Sequence, residues 1–144
     1  MNTEIIYQLV LAVILGGLIG LEREIKRKEA GLQTYSLVCL GTCLFTIIAL
    51  ELIRIFAGQA SINLDPTRII QAIAIGIGFI GAGVIFHYGA GIRGLTTAAG
   101  LWVTAGIGIA VGIKFCLLAV IVTLLTLFIL IVFGSIERKF LGKK

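Results

Sequence analysis

Residues 65–112 read DPTRIIQAIAIGIGFIGAGVIFHYGAGIRGLTTAAGLWVTAGIGIAVG. The stretch holds two apolar segments dense in glycine, Ile69 to Phe86 and Thr97 to Gly112. A short polar turn, His87 to Thr96, joins them. From Pro66 to Ile136 the sequence contains no Asp or Glu. A hydrocarbon core about 30 Å thick is crossed by a helix rising about 1.5 Å per residue, so each segment is long enough, or nearly so, to span it. Glycine costs about 1 kcal/mol in an exposed soluble helix. Its density here points to close backbone approach in lipid, where small residues at a spacing of four let helices associate.

The composition agrees. Of 144 residues, 59% are hydrophobic and 13% charged, against about 25% charged in soluble domains. A soluble core of this size could not hide so much apolar surface. The chain reads as one transmembrane domain over 1–144, all-α and polytopic. Its partner is the lipid bilayer. The formal charge of +5 does not indicate nucleic acid, because the basic residues sit at helix ends rather than on a folded polar face. The leader before the first apolar run, Met1 to Glu4, has no Lys or Arg, so that run reads as a retained helix rather than a signal peptide.

Five helices are expected, at about 5–21, 35–57, 67–86, 97–112 and 115–134. Nine of the twelve Lys and Arg fall on one side if the N-terminus lies outside: Arg23, Lys26, Arg27, Lys28, Arg93, Arg138, Lys139, Lys143 and Lys144. The positive-inside rule then places the C-terminus in the cytoplasm. The fifth helix has no glycine before Gly134 and is expected to face lipid over much of its girth. Gly16 and Gly20 on the first helix, Ala74, Gly78 and Ala82 on the third, and Gly100, Thr104, Gly108 and Gly112 on the fourth form small-residue stripes at a spacing of four, with Gly81 and Gly83 as further packing positions. They predict glycine-rich packing of helices 1, 3 and 4, or a homo-oligomer contact.

Polar residues mark the helix ends. Asp65 and Pro66 suit a cap and first position before Thr67 and Arg68. Thr96 or Thr97 is expected to start the fourth helix, where open N–H groups beside Arg93 could hold an anion such as a phosphate or lipid headgroup. Glu22, Arg23 and Glu24 open a charge cluster after the first helix. It acts either as an interfacial anchor or by pairing Glu22 and Glu24 with Arg93. Gly76 to Gly81 matches GxGxxG, but inside a membrane segment with no acid following, so it reads as packing. Cys39 and Cys43 lie one turn apart and read as small apolar residues; no metal or cofactor site is expected. His87, the lone histidine, lacks an orienting carboxylate nearby in sequence, so no catalytic pair is visible.

Gly16 to Glu24 (GGLIGLERE), Gly31 to Thr34 (GLQT), GIGFIGAGVI, and Arg93 to Ala99 with Leu101 and Trp102 resemble the MgtC/SapB family of bacterial inner-membrane proteins. The resemblance covers nearly the whole chain and implies about five transmembrane helices. It further implies a short form without the C-terminal cytoplasmic ACT-like domain, and a role in adaptation to low magnesium. It implies regulation of a membrane partner such as ATP synthase, without enzymatic activity. The alternative is a small oligomeric transporter or channel for magnesium or another ion. The motif positions are Glu22, Arg23, Glu24, Thr34, Asp65, Arg68, Arg93, Thr96 and Thr97. Gln33 stands where the family has arginine.

Overall fold

A computed structural model describes residues 3–56, 65–88 and 91–141. Helix α1 covers Thr3–Ile25, α2 Leu32–Phe56, α3 Thr67–Val84 and α4 Leu95–Gly112. Helix α5, Cys116–Phe128, runs through a π-helical turn at Ile129–Phe133 into α6, Gly134–Leu141. Five stretches are long and apolar enough to cross a membrane, the last being Cys116–Phe140. The expected span count therefore holds.

Between α3 and α4 the structure replaces the expected polar turn with a short antiparallel ribbon. Strand β1, Phe86–Tyr88, pairs with β2, Gly91–Arg93. Helix α4 begins at Leu95, ahead of the expected Thr96 or Thr97. Its cap is Gly94, at φ 87°. Only glycine fits there: a Cβ would strike the Val84 carbonyl and lie 3.2 Å from the Ile85 Cα. Asp65 does receive a backbone N–H, from Thr67 at 2.8 Å.

Helices α1 and α4 stop in the same way. Lys28 N–H bonds to the Arg23 carbonyl at 3.0 Å and Arg27 N–H to Glu24 at 2.9 Å. Phe115 N–H bonds to Ala110 at 2.8 Å and Lys114 N–H to Val111 at 3.0 Å. These are Schellman pairings. Their left-handed positions are held by Arg27 (φ 51°) and Lys114 (φ 67°) in place of glycine.

Helix α4 is the most enclosed element. It buries Gly100, Leu101, Thr104, Ile107, Gly108 and Val111, among others. The packing refines the sequence reading. Helix α4 does touch α1 and α3, but the main seams of α1 and α4 close on α2. A Cβ on Gly16 would lie 2.6 Å from the Tyr35 carbonyl oxygen, and one on Gly20 2.8 Å from the Leu32 Cα. A Cβ on Gly108 would strike the Cys39 carbonyl and Thr42, and one on Gly112 would lie 2.7 Å from Thr46. The α3 glycines behave differently. Gly81 faces Ala98 at an ordinary 3.5 Å, whereas Gly78 and Gly83 look into open space. They line no seam within the subunit, because α3 buries only Ile77 and Gly81.

Cys39 and Cys43 are fully buried in the α2 seam, as free thiols. The buried threonines satisfy their hydroxyls on their own helices. Thr46 donates to the Thr42 carbonyl at 2.7 Å, Thr104 to Gly100 at 2.8 Å and Thr123 to Ala119 at 2.8 Å. In a span without water such pairing is the available one. Helix α5 presents Ala119, Thr123 and Thr126 inward and exposes Leu117, Leu124 and Leu125.

Candidate functional site, a buried polar cluster at one end of the bundle

The end of α1, the start of α2, the start of α4 and the end of α5 meet at one end of the bundle. Four residues of α1 and its following turn, Glu22, Arg23, Lys26 and Glu29, supply the charge. Arg23 is 3% exposed. Its Nη2 donates to Thr97 Oγ1 at 3.0 Å. The Thr97 hydroxyl in turn donates to Glu29 Oε2 at 2.6 Å. Tyr35, fully buried, donates its hydroxyl to the Thr97 carbonyl at 3.1 Å. Gly100 makes room for that ring: a Cβ there would lie 2.5 Å from the Tyr35 oxygen.

Glu22 is also buried. It forms an ion pair with Lys26, one turn along the same helix, and lies 3.8 Å from Arg23. Lys26 Nζ also donates to the Leu130 carbonyl at 3.0 Å, within the π-helical turn. Lys26 thus ties α1 to the α5–α6 junction. Arg23 Nε is buried without a hydrogen-bond partner among the described residues. Such a group is costly to leave unmet.

The sequence-predicted residues separate into groups. Glu22, Arg23 and Thr97 come together here. Glu24 is exposed and accepts the Leu32 N–H at 3.1 Å, capping α2. Glu22 thus pairs with Lys26, and Glu24 serves the start of α2. Arg93 and Thr96 are exposed beside the cluster. Thr34 is half-buried, and Gln33, where the family pattern has arginine, is exposed. Asp65 and Arg68 sit at the other end of α3, and Asp65 also accepts the Thr67 hydroxyl at 2.7 Å.

The anion pocket expected at the start of α4 is served from within. Glu29 reaches Thr97, and that hydroxyl holds the Glu29 carboxyl below its ordinary value, with further help from the charges of Lys28 and Arg23. The Thr67 hydroxyl and N–H likewise hold the Asp65 carboxyl low. Among the described residues no three His, Cys, Asp or Glu side chains converge as metal donors.

Sequence reasoning missed Tyr35 as a member of the cluster and Thr97 as the partner of Glu29. It also missed Gln8, 4% exposed, at the opposite end of α1. Gln8 Nε2 donates to the Val111 and Gly112 carbonyls at 2.7 and 2.9 Å. The Gly112 carbonyl is an orphan acceptor at the end of α4, and that of Val111 also accepts the Lys114 N–H. A lone amide in an apolar run was the available signal. Fifteen residues separate Gln8 from Arg23, and fifteen separate Thr97 from Gly112. Antiparallel and matched in length, α1 grips α4 at both ends.

The sequence profile of the MgtC family matches residues 9–139. The chain belongs to the MgtC family. It is 46% identical over 123 residues to an uncharacterized protein of Haemophilus influenzae, covering 83% of this chain and 51% of that protein. It is 39% identical over 143 residues to YhiD of Escherichia coli K12, provisionally described as a magnesium transporter, covering 99% of this chain and 66% of YhiD. It is 40% identical over 115 residues to SapB of Bacillus subtilis, covering 79% and 50%. The chain thus spans between half and two thirds of the length of these relatives. No solved structure matches it. The match spans the MgtC-family residues of the cluster, from Glu22 to Thr97, and the five apolar helices make this member a multi-pass membrane protein.

Proposed function

We propose that this MgtC-family member is a non-enzymatic protein of the bacterial inner membrane that serves adaptation to low magnesium by contact with another membrane protein. The N-terminus lies outside and the C-terminus in the cytoplasm. The polar cluster is then the cytoplasmic face offered to the partner, for which the family resemblance suggests the ATP synthase. Homo-oligomers are compatible with the open faces of α3.

The observation that carries this reading is the separation of charge from depth. Glu22, Arg23, Lys26 and Glu29 gather at one end, while the α1–α2–α4 seam is closed by glycine contacts against backbone. Magnesium retains several waters and requires octahedral oxygen ligands. A seam this tight supports a packed bundle over a path for a hydrated ion.

The test pairs two measurements. Cells lacking the protein should regain growth at low magnesium with the wild type, but not with Thr97→Val present at equal membrane level. Proteoliposomes holding the wild type should show no magnesium flux. The second reading, an oligomeric magnesium transporter, is favoured by the description of YhiD. Saturable magnesium flux abolished by Asp65→Asn would replace the first reading with the second.

A further inference from the structure

A cleft of about 870 Å³ separates α2 from α3. These helices are consecutive in sequence, yet α3 leans mainly on α4 and touches α2 lightly. The cleft walls are apolar, with Phe45 on α2 and Ile80 on α3. Its polar lining is Thr34 by the polar cluster, Arg68 at the opposite membrane surface, and between them Thr42, whose hydroxyl is turned back onto the Val38 and Cys39 carbonyls. Gly41 and Gly76 line its middle, and a Cβ on either would meet nothing within 4 Å. The space between the two helices is therefore kept open by the absence of side chains on both sides.

Size and charge select the occupant. A helix about 10 Å across and 30 Å long fills roughly 2,400 Å³, well over twice the cleft. An extended acyl chain about 5 Å across and one leaflet deep, about 15 Å, fills roughly 300 Å³. The cleft accepts two such chains. Arg68 supplies a guanidinium suited to a phosphate at the membrane surface. Its neighbour Asp65 is engaged by the Thr67 N–H and hydroxyl.

We propose that the α2–α3 cleft holds one phospholipid, with its phosphate at Arg68 and its acyl chains running past Gly41 and Gly76. The site is independent of the polar cluster and of the regulatory reading. It differs from the general lipid coat in being bounded by two helices with a cation at one end.

The full chain is reconstituted in vesicles of phosphatidylethanolamine and phosphatidylglycerol and extracted in mild detergent. Bound phospholipid is then counted by native mass spectrometry. The wild type should retain one phospholipid per chain. Gly76→Leu, which fills the cleft, and Arg68→Ala, which removes the cation, should each lower retention about tenfold. Gly78→Leu is the matched control: it adds the same side chain to the same helix in open space outside the cleft, and it should retain lipid as the wild type does. If Gly76→Leu does not fold, Gly41→Leu fills the same space from α2. No retained phospholipid in the wild type, or wild-type retention in the filled variants, would overturn the proposal. So would a disulfide between two chains formed by Gly76→Cys in the membrane, since that places a second copy in the cleft.

Discussion

Arg23 on α1 donates to the Thr97 hydroxyl on α4 at 3.0 Å, across 74 residues of sequence. The contact is buried, and the same hydroxyl is spent on Glu29. Thr97→Val keeps the side-chain shape and removes both bonds. It leaves the guanidinium of Arg23 with one partner fewer in a buried place. The expected loss is about 1–3 kcal/mol, read as a lower thermal midpoint in detergent. Arg23→Lys should not restore the contact, because an ammonium cannot reproduce the planar fork that reaches Thr97 and Glu22 together. Wild-type stability in Thr97→Val would contradict the buried network.

Glu29 adds a pH dependence. The Thr97 hydroxyl holds its carboxyl below the ordinary 4.5. The folded state therefore binds this proton less readily than the unfolded chain does. The stabilisation is complete above 4.5 and is lost as pH falls through the lowered folded value. The stability gap between wild type and Glu29→Gln should be constant around neutral pH and shrink on acidification below 4.5. The group is exposed, so the gap is small. A gap that widens in acid would refute the assigned contact.

At the other end of α1, Gln8 is the donor for the last carbonyls of α4. Val111 has a second donor in the Lys114 N–H, so Gly112 is the acceptor that Gln8→Leu would leave unmet. With no water at hand the cost is about 1–3 kcal/mol. Gln8→Glu should be worse while ionised, because a carboxylate would face two carbonyl oxygens. Thermal unfolding of the two variants side by side gives the order wild type, then Leu, then Glu.

Much of this architecture was legible in the sequence. Uninterrupted apolar runs mark the five spans, and the motif residues Glu22, Arg23 and Thr97 do meet. The role of α2 was not legible, for a physical reason. A glycine seam has two halves: the missing side chain and the knob that fills its place. The stripes on α1 and α4 display the first half. The second half is Tyr35, Cys39, Thr42 and Thr46, spaced four, three and four along α2, and nothing in their types announces it. The contact of Glu29 with Thr97 escaped notice because the two lie 68 residues apart. The ribbon of Phe86–Tyr88 and Gly91–Arg93 escaped because its residues past Phe86 read as a polar turn.

The glycines provide the sharpest test of that two-sided seam. The stripe on α3 predicts close packing at Gly78, yet a Cβ there meets nothing within 4 Å. At Gly108 a Cβ would strike the backbone carbonyl of Cys39 and the Thr42 hydroxyl. A backbone atom cannot rotate aside, so even Gly108→Ala must push α2 and α4 apart. Overpacking of this kind costs about 1–3 kcal/mol or more. Gly78→Ala should instead be neutral or slightly stabilising, since alanine favours helix over glycine by about 1 kcal/mol. Folded yield and thermal midpoint in detergent should therefore fall for Gly108→Ala and hold for Gly78→Ala. The reverse order would mean that α3, and not α2, receives the glycine face of the bundle.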